Sequence, residues 1–176
     1  MTRYKQRVSD VNTILAHMIK HQVITSETDI INDHIAFRTF GVPHLGIPSL
    51  ATLFETYGYT QRDFYAFETK KLNAYWYSPP NTLPNLPRIF ISECRVADLS
   101  TQVQDIIYTY TNTITKSPLH TLNLNDGPAV DTFLHTPLWD APTWEDYETV
   151  LSESEYAAWV LYNRYYLNLL IDPCIF

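Results

Sequence analysis

The chain has 176 residues, 45% of them hydrophobic, which is enough for one domain with a real core. Nineteen acidic against 12 basic residues give a net charge of −7, and no Lys/Arg cluster offers the counterion release that a phosphate backbone demands, which excludes nucleic acid as a partner. No apolar run approaches membrane-spanning length, and no apolar stretch follows Arg3, Lys5 and Arg7 as a secretory signal would require, so a soluble, cytoplasmic chain away from membranes is expected.

The first element is a helix over about 3–21, with Val8, Val11, Leu15, Met18 and Ile19 at helical spacing. His17 and His21 fall at i and i+4 on it, but without a third ligand they read as a solvated polar face. A strand follows, His34-Ile35-Ala36-Phe37-Arg38-Thr39-Phe40, ended by Gly41 and Pro43. With period two, His34, Ala36, Arg38 and Phe40 share one face, so a metal-capable imidazole and an anion-binding guanidinium line one surface about 13 Å apart. From residue types alone, two readings stay open: a small-ligand site, or a core strand whose histidine is hydrogen-bonded and whose arginine snorkels outward.

A helix over about 48–57 comes next, with Leu50, Leu53, Phe54 and Tyr57 as its apolar stripe, Pro48 in its first turn and Gly58 at its end. Three strand-like runs follow, 59–67, 72–77 and 88–96, separated by Lys70-Lys71 and by a proline-rich loop. The order is therefore β-α-β-β-β over about 34–96. Beyond it, a helical region is expected over about 98–167, with a helix from 98 to 114, a loop from 119 to 142 and a helix opened by Thr143 that breaks near Ser152 or Ser154. The tail 169–176 is apolar and strand-like, the kind of end that seeks a partner strand and points to self-association. Cys94 and Cys174 form neither a metal-binding CxxC nor a disulfide framework.

The run Asn32-Asp33-His34-Ile35-Ala36-Phe37-Arg38-Thr39-Phe40, then Gly46-Ile47, Phe54-Glu55, Gly58-Tyr59, Lys70-Lys71-Leu72 and Phe90-Ile91-Ser92-Glu93, resembles the amino-terminal half of the 2-oxoadipate dioxygenase/decarboxylase family. Ser154-Glu155-Tyr156-Ala157-Ala158-Trp159-Val160-Leu161 is similar to the helix that leads into that family's second half. The resemblance implies an α+β fold related to the vicinal oxygen chelate superfamily, built from βαβββ units. It also implies a non-haem Fe(II) enzyme of lysine catabolism that takes 2-oxoadipate and O₂ to 2-hydroxyglutarate and CO₂. Carried over by position, His34 is an iron ligand bordering the substrate, and Arg38 grips a carboxylate of a small 2-oxo dicarboxylic acid, roles that imidazole and guanidinium suit.

Departures accompany the match. Asn168 agrees with the family, but Leu169 stands where the second histidine ligand is expected, Arg164 replaces a residue that is usually glycine, and the glutamate ligand is not found. These departures imply a truncated or frame-shifted second half, and set a non-enzymatic carboxylate-binding or interaction module against the enzyme. Glu68, Glu93, His120 and His135 are the other donors that could stand in for missing ligands, with Glu93 favoured as a strand-edge or helix-contacting carboxylate instead. Lys70 or Lys71 could assist Arg38, or simply form a charged turn.

Overall fold

The structure, a computed structural model, describes residues 9–30 and 33–164, and the backbone of 169–171. The expected helix start before residue 9, Asn32, Asn168 and the tail from 172 lie outside the described residues. In chain order the elements are α1 (Ser9–Lys20), β1 (His34–Phe40), α2 (Gly46–Thr56), β2 (Thr60–Phe67), β3 (Leu72–Ser78), β4 (Arg88–Cys94), α3 (Thr101–Thr111), α4 (Gly127–Leu134), α5 (Trp144–Glu153), α6 (Glu155–Asn163) and β5 (Leu169–Ile171). The βαβββ order matches the alternation and Gly/Pro punctuation of the sequence.

The strands form one sheet in the order β2-β3-β4-β1-β5. β1 runs parallel to β4, with His34 opposite Arg88 and Arg38 opposite Ser92, and the other neighbours are antiparallel. The pairing of β5 with β1 gives the apolar tail a partner inside the chain. One face of the sheet carries Ile35, Phe37 and Thr39 and is covered by α2, whose Phe54 ring lies 5.1 Å from that of Phe37. The other face carries His34, Ala36, Arg38 and Phe40, aligned by register with Phe90, Ser92 and Cys94 on β4 and with Trp76, Ala74 and Leu72 on β3.

The second face is covered over only part of its width. α6 lies across it, and its Ala157, Ala158, Val160 and Leu161 are fully buried. Two alanines in succession let the helix backbone come close to the strands, as small residues do. At the far side, all eight residues of β2 are exposed, and Tyr65 and Phe67 are each 42% exposed. An uncovered aromatic shelf therefore continues the sheet face beyond α6.

Three local devices fix the arrangement. Ser154 ends α5, its N–H donating to the Val150 carbonyl, and begins α6, its hydroxyl accepting from Ala157 N–H, so one serine makes the expected break. At the end of α6, Arg164 adopts φ 61°, ψ −143°, close to a region that is essentially restricted to glycine, which agrees with the glycine that the resemblance implies at this position. α2 lacks a side-chain cap of its own. The Glu93 carboxylate of β4 supplies one instead, accepting from Ile47 N–H at 2.8 Å, and Gly46 at φ +77° leaves it room, since a Cβ there would lie 2.6 Å from Glu93 Oε2.

One expectation needs correction. Residues 119–142 are not loop throughout: Pro118–Thr121 forms a 3₁₀ turn and Gly127–Leu134 forms α4, capped by Asp126, which accepts from Ala129 N–H. Gly127 and Pro128 read as breakers in the sequence, yet they occupy the first turn, where proline is tolerated. Glu93→Ala is expected to destabilise the fold by about 1–2 kcal/mol in chemical denaturation, because the amino end of α2 loses its acceptor, and Glu93→Gln should recover most of that loss.

Candidate functional site

The uncovered part of the second sheet face opens into a cleft of about 660 Å³. His34, Ala36 and Arg38 of β1 line it, with Phe90 and Ser92 of β4, Leu72 at the start of β3, and Tyr156 and Trp159 of α6. The strand period alone brings the imidazole and the guanidinium to this wall. Lys70, Lys71, Glu153 and Glu155 stand around its mouth.

His34 is half-buried, and its Nδ1 lies 3.0 Å from Asp33 Oδ2. A carboxylate on Nδ1 orients the ring and leaves Nε2 as the nitrogen open to a ligand, the arrangement common to metal-bound histidines. Asp33 is held in turn by Arg88, at 3.7 Å from its Oδ1.

Arg38 is half-buried and has no ion-pair partner among the described residues. Its Cζ sits 4.5 Å from the ring centroid of Trp159 and 5.5 Å from that of Tyr156. The Tyr156 hydroxyl donates to the Ser92 carbonyl at 2.8 Å and lies 2.8 Å from Ser92 Oγ, and burial pushes its phenol well above the usual tyrosine range. A guanidinium supported on aromatic faces, with no ion pair among the described residues, is suited to an incoming anion.

The mouth is braced by Glu153, which accepts from Ser100 N–H at 3.0 Å and from Lys71 Nζ at 2.9 Å. Lys71 is thus engaged in holding α5 against the β2–β3 turn. Cys94 shares the cleft face by register but is fully buried, and burial pushes its thiol up to about 12, which makes it a poor thiolate ligand.

The other candidate donors are placed elsewhere. Glu93 caps α2 on the opposite face, and Glu68 is exposed and paired with Arg95. The His135 Nδ1 donates to the Asp131 carbonyl at 2.7 Å, and His120 is exposed beside a separate groove near Ser117. His17 lies on α1 and His21 just past its end, with ring centroids 6.2 Å apart. Among the described residues no three His, Cys, Asp or Glu side chains group as a metal site. His34 fits as one ligand, and the described residues do not complete a set. Sequence reasoning missed Tyr156 and Trp159 as site residues. Their i, i+3 spacing on an otherwise buried helix was the available signal.

Comparison with known proteins identifies the lineage. A family model described as 2-oxoadipate dioxygenase/decarboxylase matches residues 1–174. The chain belongs to this family. It is 44% identical over 145 residues to the chloroplastic 2-oxoadipate dioxygenase/decarboxylase of Arabidopsis thaliana, covering 77% of this chain and 37% of that protein. It is 45% identical over 148 residues to a chloroplastic/amyloplastic protein of the same name from Oryza sativa subsp. japonica, covering 79% of this chain and 38% of that protein.

The crystal structure of hydroxyglutarate synthase from Oryza sativa, in complex with 2-oxoadipate, superposes with a TM-score of 0.78 at 38% identity, covering 97% of this chain and 54% of that one. A glyoxalase-superfamily protein from Ralstonia eutropha JMP134, at 19% identity and a TM-score of 0.66 over 81% of this chain and 51% of that one, supports the vicinal oxygen chelate-like fold. The chain spans less than two-fifths of the length of the curated relatives it matches.

The relatives correct one expectation. Both curated proteins are named as plastid proteins, which overturns the cytoplasmic placement. Charge and hydropathy carry no information on plastid import. Among the described residues no helix is long and apolar enough to cross a membrane.

The brace at the mouth can be tested by pH. Hydrogen bonds from Ser100, and then from Lys71, hold the Glu153 carboxyl below its usual value of 4.5. The unfolded chain therefore binds that proton at higher pH than the folded one, so the stability this group contributes is present above the usual carboxylate range and is lost as pH falls through the depressed value. Thermal melts should show wild type above Glu153→Gln at about neutral pH, with the gap closing below about pH 4.

Proposed function

We propose that the cleft is the carboxylate-gripping half of a 2-oxoadipate site, with Arg38 clamping one carboxylate of the diacid and His34 bordering its reacting end. The observation that carries this reading is the half-buried guanidinium of Arg38, which lines a cleft on aromatic supports and has no ion pair among the described residues. Family membership and the 2-oxoadipate complex of the rice structure support the choice of ligand. In this reading the fork of Arg38 takes two parallel N–H···O bonds to the carboxylate, and the apolar floor of Ala36, Leu72 and Phe90 packs against the methylene chain.

The family's reaction, 2-oxoadipate and O₂ to 2-hydroxyglutarate and CO₂ in lysine catabolism, requires a metal, Fe(II) by the resemblance stated above. When bound, such a metal supplies open positions for a 2-oxo acid and O₂. His34, with Nδ1 held by Asp33, is the ligand this chain offers toward it. One imidazole does not hold Fe(II) firmly, and no catalytic step is assigned to the described residues. Turnover by this chain depends on ligands they do not provide, so binding without turnover is the behaviour expected of them. In keeping with the curated relatives, we assign the chain to the plastid.

Calorimetry with 2-oxoadipate tests the clamp. Arg38→Ala is expected to weaken binding roughly tenfold to a hundredfold, the value of a charge-assisted pair, with the thermal transition retained. Unchanged affinity in that variant removes Arg38 from the reading. Oxygen uptake with Fe(II) and 2-oxoadipate, followed by assay for 2-hydroxyglutarate, separates turnover from binding alone.

A further inference from the structure

The clamp residue does not hold itself in place. Arg38 projects from a strand with several rotatable bonds, and the only groups described against its guanidinium are two rings delivered by a helix more than a hundred residues further along the chain. We propose that Trp159 and Tyr156 are the positioning residues of this cleft: they fix where the Arg38 fork stands relative to His34, and so set the length of dicarboxylate that the cleft accepts. The proposal rests on the reading of Arg38 as a carboxylate clamp and adds the element that gives the clamp its reach.

Three features of α6 support it. The helix is tied at both ends: Ser154 caps its start, while Trp139 Nε1 donates to the Leu161 carbonyl at 3.0 Å and Arg164 Nη1 donates to the Trp139 carbonyl at 3.0 Å near its end. Between these ties the fully buried Ala157 and Ala158 seat the helix on the sheet, so the rings of Tyr156 and Trp159 stand at a height set by backbone packing. Tyr156 is also registered along β4, because its hydroxyl bonds both the carbonyl and the side chain of Ser92, the residue paired with Arg38 across the sheet. The guanidinium is thus referenced to the strand that bears it through α6 and β4. Burial keeps the Tyr156 phenol protonated, so its part is that of a fixed hydrogen-bond donor and ring surface.

A fork held in this way discriminates by length. The strand separates the Cα atoms of His34 and Arg38 by about 13 Å, and an arginine free to swing could meet carboxylates over a wide range of positions. Held over Trp159, it meets one narrow range, and a diacid shorter by one methylene reaches it badly. A 2-oxo acid that lacks the distal carboxylate gains nothing from the arrangement.

The test uses the full chain with Trp159→Leu, Trp159→Phe and Tyr156→Phe. Affinities are measured by calorimetry for 2-oxoadipate, for 2-oxoglutarate, which is one methylene shorter, and for 2-oxohexanoate, which lacks the distal carboxylate. Trp159→Leu should weaken 2-oxoadipate roughly 3- to 30-fold, the range of a partly desolvated cation–π contact, and leave 2-oxohexanoate unchanged. Trp159→Phe should recover part of the loss, and Tyr156→Phe should narrow the preference for 2-oxoadipate over 2-oxoglutarate. Equal weakening of all three acids by Trp159→Leu, or no weakening of 2-oxoadipate, overturns the proposal. Proton NMR gives a readout that needs no ligand. The Arg38 side-chain signals should be shifted upfield by the rings in wild type and in Trp159→Phe, and should return toward ordinary values in Trp159→Leu. If wild type fails to bind 2-oxoadipate while the ring-current shifts are present, the clamp reading falls and the positioning of the guanidinium stands; absent shifts overturn the positioning itself.

Discussion

The parallel pairing of β1 with β4 is the constraint on which the rest of the structure depends. Parallel neighbours cannot be joined by a tight turn, so the intervening chain must leave the sheet and come back. Here it leaves as α2, which covers the back face, and returns through β2 and β3, which widen the front face. Because the register sets Arg38 beside Ser92 and Ala36 beside Phe90, one strand pair lays down the floor of the cleft, and each later element either covers that floor or leaves it open. α6 covers one part and β2 leaves the other bare.

Much of this could be read from the sequence because it lies in local chemistry. Period two in β1 puts His34 and Arg38 on one side, and Gly58, Thr143 and Ser154 mark element ends through ordinary capping. What could not be read were relations between distant residues. Nothing near Trp159 says that its ring will meet Arg38, and nothing near Glu93 says that its carboxylate will cap a helix begun at Gly46. The short α4 was missed because Gly127 and Pro128 punctuate chains far more often than they begin helices. Arg164 was flagged from the family pattern, and its left-handed backbone agrees with the glycine that the resemblance implies there.

Cellular placement was unreadable for a different reason. Net charge and hydropathy decide solubility and the class of partner, but plastid import is read by receptors and leaves no mark on the packing of a mature fold. The curated relatives therefore carry information that the physics of this chain does not contain.

The contact between Gly46 and Glu93 limits how this fold can change. A side chain at position 46 would fall on the carboxylate that position 93 already supplies. Substitution at 46 is thus blocked until 93 has changed, whereas 93 can change first at the cost of a weakened helix end. The two positions are open to variation in one order only, and a lineage that gave up the glutamate would afterwards meet one obstacle fewer at 46, the left-handed backbone and a 3.3 Å approach to the Phe40 carbonyl remaining.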